Sequence, residues 1–83
     1  MLTRHMLRVL SQVRANGFEV TTCELQHGVN ILIFSPEHGR ETSFGVTTAS
    51  EPVIAEQIAR DYLTETQRER LFGHEHLLLA GSF

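Results

Sequence analysis

The chain has no lysine: all seven of its basic residues are arginine. That removes Schiff-base chemistry and the phosphate-loop lysine from consideration. It has one cysteine, Cys23, so no disulfide can close within its 83 residues. A secreted domain of this size ordinarily needs disulfides, and a cytoplasmic location is the expectation. No run approaches the ~20 apolar residues of a membrane-spanning helix. Arg4 and Arg8 stand where a signal peptide carries uncharged apolar residues, so no membrane partner is expected. A glycine-rich phosphate loop, a nucleophile elbow and an H-E-x-x-H motif are all missing.

What is present is ordinary for a folded chain: 41% hydrophobic and 20% charged residues. The net charge of −3 disfavours bulk attraction to nucleic acid or to an anionic membrane. The most informative stretch is Gly28-Val29-Asn30-Ile31-Leu32-Ile33-Phe34, apolar but for Asn30 and closed by Ser35-Pro36. Strands covered on one face alternate, and this one does not, so something must cover its second face.

Around it the pattern predicts helices and strands in a simple order. Residues 2–15 place Leu2, Met6, Val9, Leu10 and Val13 at helical spacing, with Thr3 available as a cap and Asn16-Gly17 as a stop. Strands are expected over 18–25, 29–35 and 40–48, and a helix over 51–63 with Ser50 as its N-cap. Thr64 and Gln67 spell a capping box, so the helix either restarts there or continues to 72, with Gly73 ending it. Residues 74–83 form an apolar tail. The expected fold class is α+β: a two-layer α-β-β-β-α domain over 1–83, with a three-stranded antiparallel meander and the helices on one face.

Register divides the side chains. A two-residue loop at His27-Gly28 pairs Glu24 with Ile31, and a four-residue loop from Pro36 to Gly39 pairs Ile31 with Phe44. One face then holds Phe18, Val20, Val29, Ile31, Ile33, Phe44 and Val46 beneath the helices. The other holds Cys23, Leu25, Leu32 and Phe34 among Glu19, Asn30, Glu41 and Thr47. An apolar patch of that size asks for cover. Leu77-Leu78-Leu79 of the tail, a second copy of the chain, or a different protein would each supply it.

Catalytic and metal constellations are thin. Cys23, His27, His74 and His76 are the residues a zinc site would draw on, but their spacing matches no zinc pattern. Cys23 lies within a strand, where cysteine is usually a small apolar residue. No metal, no cofactor and no enzymatic activity are expected.

The α-β-β-β-α order resembles that of double-stranded-RNA-binding domains. That resemblance implies basic residues at the start of the last helix to bridge phosphates. Here the helix begins Ser50-Glu51-Pro52-Val53-Ile54-Ala55-Glu56, which is acidic.

By elimination the sequence reads as a small protein-interaction module, an inhibitor or regulator that occludes a partner's surface. Its expected contact residues are Leu25, Leu32, Phe34, Glu19 and Glu41, with the acidic groups favouring a basic or nucleic-acid-handling protein. Small acidic single-domain chains without catalytic residues are common among phage and mobile-element inhibitors, anti-CRISPR proteins included; the likeness is one of size and composition. The alternative is a nucleic-acid-binding regulator that uses Arg4, Arg8 and Arg14 of the first helix.

Overall fold

A computed structural model describes residues 1–73. The elements in chain order are α1 (Arg4–Ala15), β1 (Glu19–Leu25), β2 (Gly28–Ser35), β3 (Arg40–Val46), α2 (Glu51–Tyr62) and α3 (Glu65–Phe72). The three strands form one antiparallel sheet in the order β1-β2-β3. The predicted α+β meander is therefore the observed architecture, with β2 in the middle.

Alternation along the strands decides which side chains meet the helices. Val29, Ile31 and Ile33 of β2, with Phe44 and Val46 of β3, are buried. They share one core with Met6, Val9, Leu10 and Val13 of α1 and with Ala55, Ile58, Ala59 and Leu63 from α2 and its C-cap. All five buried sheet residues belong to the same face, so both helices lie on that side. Phe18, Val20 and Tyr62 pack around this core, the Tyr62 ring meeting Phe18 edge-on at 5.0 Å.

The helix ends have identifiable causes. Thr3 caps α1, its hydroxyl accepting from the Met6 N–H at 3.2 Å. Gly17, at φ 101, then reverses the chain in a conformation that disfavours side chains with a Cβ. Between α2 and α3 the helix breaks: Leu63 and Thr64 are both extended, and Thr64 and Gln67 form a reciprocal capping box. The restart, rather than one continuous helix, is the outcome.

Three expectations need correction. The first hairpin turns at Gln26-His27, with Leu25 paired to Gly28 and Glu24 to Val29 rather than to Ile31. The shift is two residues, an even number, so no side chain changes face. Gly28 is a strand residue whose reason is space: a Cβ there would collide with the carbonyl oxygen of Val46. Ser50 does not cap α2 through its side chain. It is helical in conformation, and its hydroxyl instead accepts from the Thr47 N–H at 2.9 Å. That turn also ends β3 at Val46, so Thr47 lies off the sheet. The second hairpin matches expectation, with Ile31 opposite Phe44 and Ile33 opposite Thr42.

Candidate functional site

The face of the sheet away from the helices is built in cross-strand rows. Glu19, Phe34 and Glu41 form one row, so the Phe34 ring stands between two carboxylates. Thr21, Leu32 and Ser43 form the next, and Cys23, Asn30 and Gly45 the third. The Ser43 hydroxyl donates to Asn30 Oδ1 at 2.9 Å and ties β3 to β2 across this face. Leu25, opposite Gly28 at the end of β1, is 57% exposed. Leu32 and Phe34 are half-buried, although every residue of the helix-covered core is buried.

The five expected contact residues thus share one face: Phe34 flanked by Glu19 and Glu41, Leu32 one row on, and Leu25 at the hairpin end. Thr21, Ser43 and Gly45 complete it and are the ones sequence reasoning did not single out. Alternation alone would have found them, since each lies opposite a β2 residue already assigned to this face. Gly45 adds no side chain, and nothing lies within 4 Å of where its Cβ would be. The surface is therefore low beside Asn30 and raised at Leu32 and Phe34. Such a surface can desolvate an apolar partner at its centre and meet cations at the Glu19/Glu41 rim.

Other sequence candidates are dispersed. Cys23 is exposed, not buried as a small apolar strand residue would be, because the row it occupies is on the open face. Its thiol makes one long contact, 3.9 Å, to the Glu24 carbonyl. Among the described residues no three metal-binding side chains come together. His74, His76 and Leu77-Leu78-Leu79 lie outside the described residues. On α1, Arg4 and Arg8 are exposed one turn apart, whereas Arg14 folds onto β1 and donates to the Val20 carbonyl at 3.2 Å.

One cleft was not foreseen. A cavity of about 240 Å³ between the second hairpin and the end of α2 is lined by Phe18, His38, Arg40, Asp61 and Tyr62, among others. Arg40 and Asp61 form no ion pair with each other there. A second, mostly apolar cleft runs past Thr3, His5, Glu51 and Pro52 where α1 and α2 begin. Among the described residues no helix is long and apolar enough to cross a membrane.

No family model matches the chain, and no match is found among curated proteins or solved structures.

Proposed function

We propose that the chain is a non-enzymatic, cytoplasmic protein-interaction module whose open sheet face docks on a partner protein. One observation carries this reading: Leu32 and Phe34 stand on a face that no described helix covers, with Glu19 and Glu41 on either side of the ring. Burying a leucine or phenylalanine side chain contributes roughly 1.5–3 kcal/mol. The flanking carboxylates favour a partner that is basic around an apolar contact, such as a nucleic-acid-handling protein. A module of this kind acts by occlusion, as an inhibitor or regulator does, and needs no cofactor.

The test compares Leu32→Glu and Phe34→Glu with the unmodified chain for binding to a purified candidate partner, alongside circular dichroism. Loss of binding with an unchanged spectrum supports the reading. Binding unaffected by both substitutions sinks it. Arg4 and Arg8, exposed together on α1, give the alternative of nucleic-acid binding a concrete form. Binding to a duplex that falls steeply with salt, and is lost on replacing Arg4, Arg8 and Arg14, would favour that alternative.

A further inference from the structure

The outer rim of β1 is a surface distinct from the open face. β1 is an edge strand of seven residues, six of them exposed. Native proteins blunt such edges with proline, lysine, bulges or a covering element. β1 has neither proline nor lysine, and its ladder to β2 runs without a bulge from Glu19 to Leu25. Among the described residues one side chain from another element hydrogen-bonds to its rim: Arg14, through the Val20 carbonyl.

That contact fixes which backbone groups are free. In an antiparallel ladder, successive residues turn their N–H and C=O groups alternately toward the paired strand and away from it. The Val20 carbonyl taken by Arg14 faces away from β2. Thr22 and Glu24, two and four residues on, face the same way. Among the described residues the one hydrogen bond to their outward groups is the long 3.9 Å contact from the Cys23 thiol to the Glu24 carbonyl, which leaves a lone pair of that carbonyl and both N–H groups open. The Glu24 carboxylate has one ion pair, a well-exposed contact at 3.6 Å with the Met1 α-amino group. Exposed pairs of that kind contribute little.

We propose that β1 pairs antiparallel with β1 of a second copy, about a twofold axis at Thr22, joining two three-stranded sheets into one. In that register Thr22 faces Thr22 of the second copy, and Val20 faces Glu24 of the second copy on either side of the axis. Each of these pairs exchanges two hydrogen bonds. The Val20 carbonyl has two lone pairs, so it accepts from Arg14 and from the incoming N–H together.

Charge selects this register over its neighbours. Val20 and Glu24 both point to the helix side, where Arg14 sits, because they pair with the buried Ile33 and Val29. The Arg14 guanidinium therefore lies beside the Glu24 carboxylate of the second copy, and the twofold axis repeats the pair. Centring on Val20 would bring the two Arg14 side chains together. Centring on Glu24 would set carboxylate against carboxylate, which is destabilising. Centring on Cys23 leaves Arg14 next to Gln26. Only at Thr22 does each cation meet an anion. The dimer does not depend on what the open face binds: it leaves Leu32 and Phe34 free and places two copies of that face side by side.

The experiment is sedimentation equilibrium of the full chain with four variants, each checked by circular dichroism. The unmodified chain should sediment at twice the chain mass. Glu24→Arg should sediment at the chain mass, and the charge swap Arg14→Glu with Glu24→Arg should restore the dimer. Thr22→Pro should also be monomeric, since the N–H it removes has no partner among the described residues. In a hydrogen-bonded pair the two Cα atoms lie about 5.5 Å apart, within disulfide range. Thr22→Cys in a Cys23→Ser background should therefore cross-link under oxidation. Native Cys23, diagonal to its copy at about 7–8 Å, should not. A monomeric unmodified chain, a dimer indifferent to Glu24→Arg, or cross-linking through Cys23 in place of position 22 would each overturn the proposal. A dimer lost on Leu32→Glu but kept in Thr22→Pro would also overturn it, and would place the second copy on the open face.

Discussion

Thr3 and Glu51, 48 residues apart, hold the starts of α1 and α2 together. Glu51 Oε1 accepts from the Thr3 backbone N–H at 2.8 Å and from its hydroxyl at 2.6 Å. The hydroxyl is thereby aimed so that its own oxygen accepts from the Met6 N–H. Glu51 is 6% exposed and is the one buried charged residue among those described. A carboxylate in the first turn of α2 is favoured by the helix dipole, and here it also sets the N-cap of another helix.

Removing either partner should therefore cost more than an ordinary surface change. Glu51→Ala leaves two donors without their acceptor and is expected to destabilise by about 1–3 kcal/mol. Thr3→Ala loses the cap and should cost about 1 kcal/mol. Urea unfolding of the two single variants and the double variant should show a cost smaller than the sum of the singles, because one network is removed in each. Strict additivity would mean that the two hydrogen bonds contribute nothing jointly.

Gly28 and Gly45 both lie in strands, yet alanine should distinguish them. At Gly28 a Cβ meets the Val46 carbonyl, and the backbone must shift; overpacking of this kind costs about 1–3 kcal/mol. At Gly45 the space is open, so Gly45→Ala should be neutral or stabilise by up to about 1 kcal/mol. Thermal melting of the two variants side by side checks the contrast.

These glycines also show how far the sequence could be read. The β2 run, the α+β order and the division of side chains between faces were all legible, because each depends on periodicity alone. The first hairpin register was not. A glycine beside His27 draws the turn toward itself, since turns are the commonest reason for glycine. Gly28 is needed instead for close approach to β3, a tertiary constraint that leaves no local mark. Ser50 misled for a related reason. Its hydroxyl has two local partners within reach, the start of α2 and Thr47, and only the turn geometry decides for Thr47. The open face was foreseen because its residues alternate with the core. The free rim of β1 was not, because it depends on where Arg14 lands.

Asn16 is the knot at the other end of the helices. Its Nδ2 donates to the Tyr62 carbonyl at 3.0 Å and to Gln67 Oε1 at 2.8 Å, and Gln67 Nε2 donates back to Asn16 Oδ1 at 2.9 Å. Asn16→Ala removes the hydrogen bonds between the end of α1 and α3, leaving the His5–Phe72 ring contact at 4.7 Å and the main core in place. Hydrogen exchange should quicken several-fold in 65–72 and stay unchanged in β2. Equal acceleration in both would mean that α3 and the sheet open as one unit.

Two isoleucine-sized truncations on β2 should behave very differently. Ile31 is fully buried, and Ile31→Ala is expected to cost about 2–5 kcal/mol. Leu32, the next residue, is half-buried on the open face, and Leu32→Ala should cost well under half as much. Chemical denaturation of the pair measures the difference directly.

That contrast between adjacent residues has an evolutionary consequence. Along β2 the odd positions from 29 to 33 answer to the core, and the even positions from 30 to 34 answer to whatever lies outside. The two sets interleave in sequence but scarcely constrain each other. A lineage can rewrite Asn30, Leu32 and Phe34 at a smaller cost in stability than changes at Val29, Ile31 or Ile33 carry. The expected signature is rapid divergence at every second residue of the most hydrophobic strand in the chain.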